Sequence, residues 1–210
     1  MIIIGVTGSI GSGKSTVINM LKDMGIPVHY ADRVVADLLC AKGIAVRQLG
    51  KMFPEAMEVD DEGYAYINRD ELGKIVFRDR EKKQQLEKFL HPLVKANSDE
   101  FTEAMKLCGH KMVALEIPLL FETGRDKEVD FTVCVVCSHD HRKERTLVRS
   151  GMTSEKFDAI VSGQMKDKEK QELANYVILN DGELDETRAH LEKVIFDIQT
   201  KVSKMTGLKS

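Results

Sequence analysis

The sequence predicts an α/β fold with a doubly wound, parallel five-stranded sheet. Three observations carry this. Short apolar runs recur without polar alternation, the signature of strands buried on both faces. Helical stretches separate them. A glycine-rich turn follows the first run directly, as in nucleotide-binding sheets.

The first run is Ile2-Ile3-Ile4-Gly5-Val6-Thr7. A helix from Lys14 to Met24 follows, with Gly25 as its C′ residue. Pro27-Val28-His29-Tyr30 reads as a second strand, expected beside the first, and a helix follows from Asp32 to Cys40. Asp32 serves as its N-cap or sits in its first turn. From Lys42 to Gly109 the chain is mostly helical and charged. Asn68 is placed as an N-cap before an acidic first turn, and the Asp60-Asp61-Glu62-Gly63 turn suggests a small hairpin. A long helix starts near Asp79, with a kink or interruption expected at His91-Pro92. Strands follow at 112–117, 131–136 and 176–179, with a charged helical segment from His141 to Gln171 and a last amphipathic helix from Glu183 to Lys204. The chain is thus expected to be one domain over 1–210. Within it lie a mostly helical region at 33–110 and a charged helical region at 139–175.

Composition narrows the function. The net charge is −3, with basic residues mixed among acidic ones, which argues against nucleic acid as main partner. No apolar run approaches the ~20 residues of a membrane span. The start has no basic region before its apolar run, unlike a signal peptide, so the cytoplasm is the expected location. Cys40, Cys108, Cys134 and Cys137 are scattered and are expected to be reduced thiols.

The sharpest signal is Gly8-Ser9-Ile10-Gly11-Ser12-Gly13-Lys14-Ser15, which fits G-x-x-x-x-G-K-[ST] at every fixed position. The glycines permit backbone angles and close approaches that a Cβ forbids. Successive N–H groups form an anion nest, and the helix that follows turns its positive end to the phosphates. Lys14 reaches the β- and γ-phosphates of ATP, and the Ser15 hydroxyl coordinates Mg²⁺. The expected nucleotide-binding set is Ser9, Ile10, Gly11, Ser12, Gly13, Lys14, Ser15 and Thr16. An Asn-Lys-x-Asp base-reading segment is lacking, which excludes the GTPases. Leu115-Glu116-Ile117-Pro118 stands where motor-type ATPases end a strand in Asp-Glu. A small-molecule kinase with a water-excluding lid fits better.

Further segments make the chain resemble the dephospho-CoA kinase family over nearly its whole length. They are Ala31-Asp32 after the second strand, Leu90-His91-Pro92-Leu93, Pro118-Leu119-Leu120-Phe121-Glu122, Gln164, and the run Ala174 to Asn180. Two positions depart from the family pattern: Tyr30 replaces the first Asp of Asp-Ala-Asp, and Asn175 replaces the Asp after Ala174. The resemblance implies a P-loop nucleoside/nucleotide kinase type of fold with helical acceptor-binding and lid insertions. It implies transfer of the ATP γ-phosphoryl to the ribose 3′-hydroxyl of dephospho-CoA, giving CoA and ADP. It makes Asp32 the general base and places Thr7, Asp32, His91, Pro92 and Leu119 at the acceptor, and Asn180 at the nucleotide edge. From the residues alone, Asp32 is equally a first-turn or capping carboxylate, and His91 a lone helix histidine.

In the basic cluster Arg142, Lys143, Arg145 and Arg149, cationic clamps on developing phosphoryl charge are the reason to single out Arg145. Arg145 and Arg149 are expected on one helix face. Glu116 could order magnesium-bound water or make a salt bridge. Another small-molecule kinase and a non-catalytic nucleotide sensor are the alternatives. Finally, Cys134, Cys137, His139 and His141 form C-x₂-C-x-H-x-H, superficially a zinc pattern. Two cysteines three apart in one strand point to opposite faces, so this set is not expected to close on zinc.

Overall fold

The computed structural model describes residues 1–205 and divides the chain into two compact units. The first comprises Met1–His29 and the chain from Met105 onward; the second is Tyr30–Ala104.

The first unit is built on the parallel sheet. Strand β1 (Ile2–Thr7) runs into the glycine-rich turn and helix α1 (Lys14–Asp23). Gly25, at φ +79°, ends α1 in a left-handed turn. The Gly25 N–H donates to the Lys22 carbonyl and the Ile26 N–H to that of Leu21, so two orphan carbonyls are satisfied, as the C′ assignment required. Strand β2 (Val28–Tyr30) follows and leads into helix α2 (Ala31–Leu39).

The second unit continues with α3 (Val46–Met52), the antiparallel hairpin β3 (Met57–Val59) and β4 (Ala65–Ile67), and α4 (Arg69–Arg78). The Asp60 carboxylate closes the hairpin by accepting from Glu62 and Tyr64 N–H. Asn68 caps α4, its Oδ1 accepting from Asp70 and Glu71 N–H. Leu49, Phe53, Ala56, Ile67 and Leu72 are among the buried residues of this unit's own apolar core. Helix α5 (Arg80–Leu107) starts over the Asp79 carboxylate, which accepts from Glu81 and Lys82 N–H. The expected interruption at His91-Pro92 does not occur. Pro92 lies inside a continuous helix of 28 residues, in which a single missing N–H is a small fraction of the backbone bonding.

Back in the first unit, β5 (Met112–Glu116), β6 (Phe131–Val136) and β7 (Tyr176–Leu179) complete a sheet of order β2-β5-β1-β6-β7. Ile3 pairs with Val113, Val6 with both Glu116 and Val133, and Val135 with Ile178. The five strands fall where the apolar runs placed them. One neighbour relation differs: β5 lies between β2 and β1, so the second strand does not adjoin the first. The charged helical segment forms three helices, α6 (His139–Leu147), α7 (Ser154–Ser162) and α8 (Asp167–Leu173). Gly151 at φ +71° and a Thr153 cap separate the first two, and Gly163 ends the second. Helix α9 (Leu184–Met205) is the last. No helix of the described residues is long and apolar enough to cross a membrane.

The four cysteines are free thiols and split into two classes. Cys40 and Cys108 are exposed; Cys134 and Cys137 are buried. Burial pushes the Cys134 thiol up to about 11 and also raises that of Cys137. Since the thiolate is the nucleophile, maleimide at neutral pH is expected to label Cys40 and Cys108 rapidly and Cys134 only after denaturation. Peptide mapping of natively labelled protein checks this; Cys134 modified at the rate of Cys40 would contradict it.

Candidate active site

The phosphate cradle is built between β1 and α1 and is held from outside by three other segments. Gly13, at φ +91°, stands before the first turn of α1. Lys14 Nζ donates to the carbonyls of Gly8 (2.9 Å) and Ser9 (3.2 Å), folding the ammonium back onto the loop it follows. The glycines are demanded by neighbours as much as by phosphate. A Cβ on Gly13 would come within 1.9 Å of Asn180 Nδ2, and one on Gly11 within 2.5 Å of the Arg142 carbonyl. Asn180, 3% exposed at the end of β7, donates from Nδ2 to the Ser12 carbonyl at 2.9 Å. Its Oδ1 accepts from Thr187 Oγ1 at 3.2 Å, which fixes the amide's orientation.

On the side of the 139–175 segment, Ile10 N–H donates to Gln164 Oε1 at 3.1 Å, and Ser9 Oγ donates to Asp167. Asp167 also pairs with the buried Arg142 guanidinium at 3.0 Å. Below them Glu122 accepts from Met165 N–H at 3.0 Å and pairs with Lys170 Nζ at 2.9 Å. Lys170 has no exposed side-chain area, so the ammonium is tolerated there because a carboxylate meets it. Thus Glu122 is an anchor for the segment between α7 and α8.

Of the other residues singled out from the sequence, Thr7 is fully buried, its hydroxyl donating to the Pro118 carbonyl. Leu119 is partly exposed in the turn after β5. Glu116 is buried at the end of β5, paired in register with Val6. Arg145 lies in α6 with Nη1 donating to Cys137 Sγ at 3.4 Å. Arg149 is not on a shared helix face with it: α6 ends at Leu147, and Arg149 is exposed in the turn beyond.

In the second unit, Asp32 sits exposed in the first turn of α2, where Tyr30 is the N-cap; the capping alternative therefore falls. His91 and Pro92 are exposed on α5. Both family departures have local roles. The Tyr30 ring receives the Arg33 guanidinium at 4.2 Å from its centroid. Asn175 Oδ1 accepts from the Thr132 N–H (2.8 Å) and hydroxyl (3.1 Å), while its own N–H donates to Thr132 Oγ1, tying the start of β7 to β6. A carboxylate could accept the same bonds, so nothing here demands Asn.

The zinc-like pattern does not assemble as spaced. Cys137 lies just past the end of β6, so strand alternation does not govern it. It meets His141 and Asp181, whereas His139 lies edge-on to Phe157 and Cys134 is buried in the strand. Asp181 Oδ1 accepts from Ser138 N–H (2.8 Å) and Cys137 Sγ (3.3 Å) and faces His141 Nδ1 (3.0 Å). These contacts, the Ser138 backbone N–H first, hold its carboxyl well below the usual range.

The residues fit a magnesium nucleotide. Ser12 Oγ is buried in the loop without a hydrogen-bond partner, so a polar atom of the cradle is available to a ligand. The Ser15 hydroxyl is exposed in the first turn of α1, where a hard cation beside phosphate would find an oxygen donor.

A parallel sheet with this loop and a helical segment clamped to it defines a P-loop kinase. The comparisons make the class specific. The dephospho-CoA kinase family model matches residues 2–186. A dephospho-CoA kinase of Rhizobium meliloti is 38% identical over 199 residues, covering 95% of this chain and 99% of that one. Among solved structures, TT1252 from Thermus thermophilus superposes with a TM-score of 0.77 at 35% identity, covering 93% of this chain and 96% of the other. A dephospho-CoA kinase from Campylobacter jejuni gives 0.66 at 27%, covering 95% and 98%. The chain belongs to the dephospho-CoA kinase family, enzymes that transfer phosphate to dephospho-CoA.

Gln164 and Asp167 were absent from the expected nucleotide set. Gln164 was visible as a family match, while Asp167 gave no signal in the sequence, because its partners Ser9 and Arg142 are far away in the chain. The Glu122–Lys170 pair gives a test. Glu122→Ala leaves a buried ammonium without its partner and is expected to cost about 2–3 kcal/mol, less than the ~3–5 kcal/mol of a fully buried pair because Glu122 keeps some solvent contact. Urea unfolding measures it; a loss below about 0.5 kcal/mol would show the pair to be dispensable.

Proposed function

We propose that this chain binds ATP at the Gly8–Thr16 cradle and transfers its γ-phosphoryl group to the ribose 3′-hydroxyl of dephospho-CoA, with Asp32 as general base. The observation that carries the nucleotide half is the cradle itself: Lys14 at its helix start, a buried unpaired Ser12 hydroxyl within it, and backbone amides fixed from outside. Ser9 to Thr16 hold the phosphates, and Lys14 neutralises charge as it moves onto the leaving ADP oxygens. Arg145, on the lid helix that packs at Gly11, adds a second cation. Mg²⁺ would be held by the Ser15 hydroxyl and, when bound, supplies charge neutralisation at the β- and γ-oxygens. Asn180 serves the nucleotide edge by fixing the Ser12 carbonyl. The cytoplasm, where ATP is available, is the compartment this reading requires.

For the acceptor, Asp32 follows directly on β2, and open α/β sheets bind ligands beyond the carboxyl ends of their strands. Its exposed carboxylate has no capping duty and can accept the hydroxyl proton as the bond to phosphorus forms. Thr7, His91, Pro92 and Leu119 complete the acceptor assignment, and 33–110 and 139–175 serve as acceptor-binding and lid regions of one kinase domain.

Asp32→Asn separates the base from a merely structural carboxylate. As a first-turn anion, Asp32 contributes about 0.3–1 kcal/mol to α2, so stability should change by no more than that. Turnover should fall by about 10²–10⁴-fold with ATP affinity preserved. Near wild-type turnover of dephospho-CoA would remove Asp32 from this role.

A further inference from the structure

Outside the cradle, one cluster in the first unit brings together three different metal-ligating side chains: Cys137, His141 and Asp181. Their ligand atoms all lie within 4.8 Å of one another, and among the described residues no other such group of three occurs. A tetrahedral zinc ion, with bonds of about 2.0–2.3 Å, spaces its ligand atoms about 3.3–3.6 Å apart. Cys137 Sγ and Asp181 Oδ1 are 3.3 Å apart, and His141 Nδ1 and Asp181 Oδ1 are 3.0 Å apart. Two edges of the tetrahedron thus already stand near their final length.

We propose that Cys137, His141 and Asp181 form a three-ligand zinc site at the edge of the nucleotide cradle, with solvent in the fourth position.

The set selects its metal. A thiolate and an imidazole favour zinc over magnesium, which prefers oxygen donors in an octahedron. Thiolate and carboxylate together cancel the charge of a divalent ion. Coordination displaces the Cys137 proton to solvent. His141 binds through Nδ1, so its remaining proton sits on Nε2.

The supports around these ligands exist already. The Ser138 N–H donates to Asp181 Oδ1 at 2.8 Å and fixes that carboxylate. Arg145 Nη1 donates to Cys137 Sγ at 3.4 Å, a hydrogen bond that a thiolate strengthens. Access is asymmetric in the useful sense. Cys137 is 3% exposed, whereas the side chains of His141 and Asp181 are 48% and 41% exposed, leaving an open side for entry and for water. Cys134 and His139 take no part, so the site is not the four-residue pattern that the local spacing suggests.

The location gives the site a reach. Cys137 closes β6, His141 is on α6, and Asp181 follows Asn180, which holds the Ser12 carbonyl. One ion would cross-link the end of one strand, the first turn of the lid helix and the loop after β7.

Cobalt titration of the full chain tests this directly, because a cysteine-ligated Co²⁺ shows a near-ultraviolet sulfur-to-cobalt charge-transfer band. We expect one equivalent of Co²⁺ to raise that band, Zn²⁺ to abolish it, and Mg²⁺ in excess to leave it. Cys137→Ser should lose the band with its thermal unfolding otherwise unchanged, and Cys134→Ser should keep it. His141→Asn should weaken cobalt binding by at least about tenfold. Zinc should also raise the melting temperature of the wild type and not of Cys137→Ser. No band in the wild type, a band that survives Cys137→Ser, or one lost in Cys134→Ser would each overturn the assignment.

Discussion

The hydrogen bond from Asn180 Nδ2 to the Ser12 carbonyl is the constraint on which the nucleotide half depends. A glycine-rich loop bonds to itself less regularly than a helix or strand does; here the Ser12 N–H donates to the Ser9 carbonyl within the loop. Its outward-facing groups need partners elsewhere, and each missing one would leave a buried polar group at about 1–3 kcal/mol. Asn180 supplies the partner for one carbonyl, Gln164 for one N–H, and Asp167 for the Ser9 hydroxyl. These come from β7's end, the turn after α7, and α8, so the cradle has a defined shape only when the sheet and the lid helices are both in place.

The 139–175 segment is therefore part of the cradle's frame. Asp167 connects Ser9 to the buried Arg142, and the Arg142 carbonyl in turn packs on Gly11. The Glu122–Lys170 pair pins the same segment beneath. The cations Arg142 and Lys170, which would ordinarily be solvated, are here buried, and each meets a carboxylate of opposite charge. That arrangement is costly to form but stringent in register.

How much of this could be read from the sequence follows from the range of each interaction. The five strands were legible because continuous β-branched runs have few other uses, and the cradle because Gly8 to Ser15 must follow a strand and open a helix. Asn68 and Gly25 were legible because caps are decided within four residues. The partition of 139–175 into three helices was not read, although Gly151 and the Thr153 cap are local signals for the first break. The continuous passage of α5 through Pro92 was missed because local backbone chemistry argued for a break. The strand order placed β5 between β2 and β1, which no local signal encodes. Asp167 and Lys170 gain their meaning only from partners far away in the chain, and the local spacing that flagged Cys137 and His141 gave no sign of Asp181 as their third member.

The central claim is that the cradle's shape is imposed by side chains from outside it. Asn180→Asp tests this most directly, because it keeps the acceptor for Thr187, removes the donor to Ser12 and conserves volume. Calorimetry with ATP should show affinity falling by about 5- to 150-fold, the equivalent of leaving a buried group unpaired at about 1–3 kcal/mol. ATP affinity within twofold of the wild type would contradict the account.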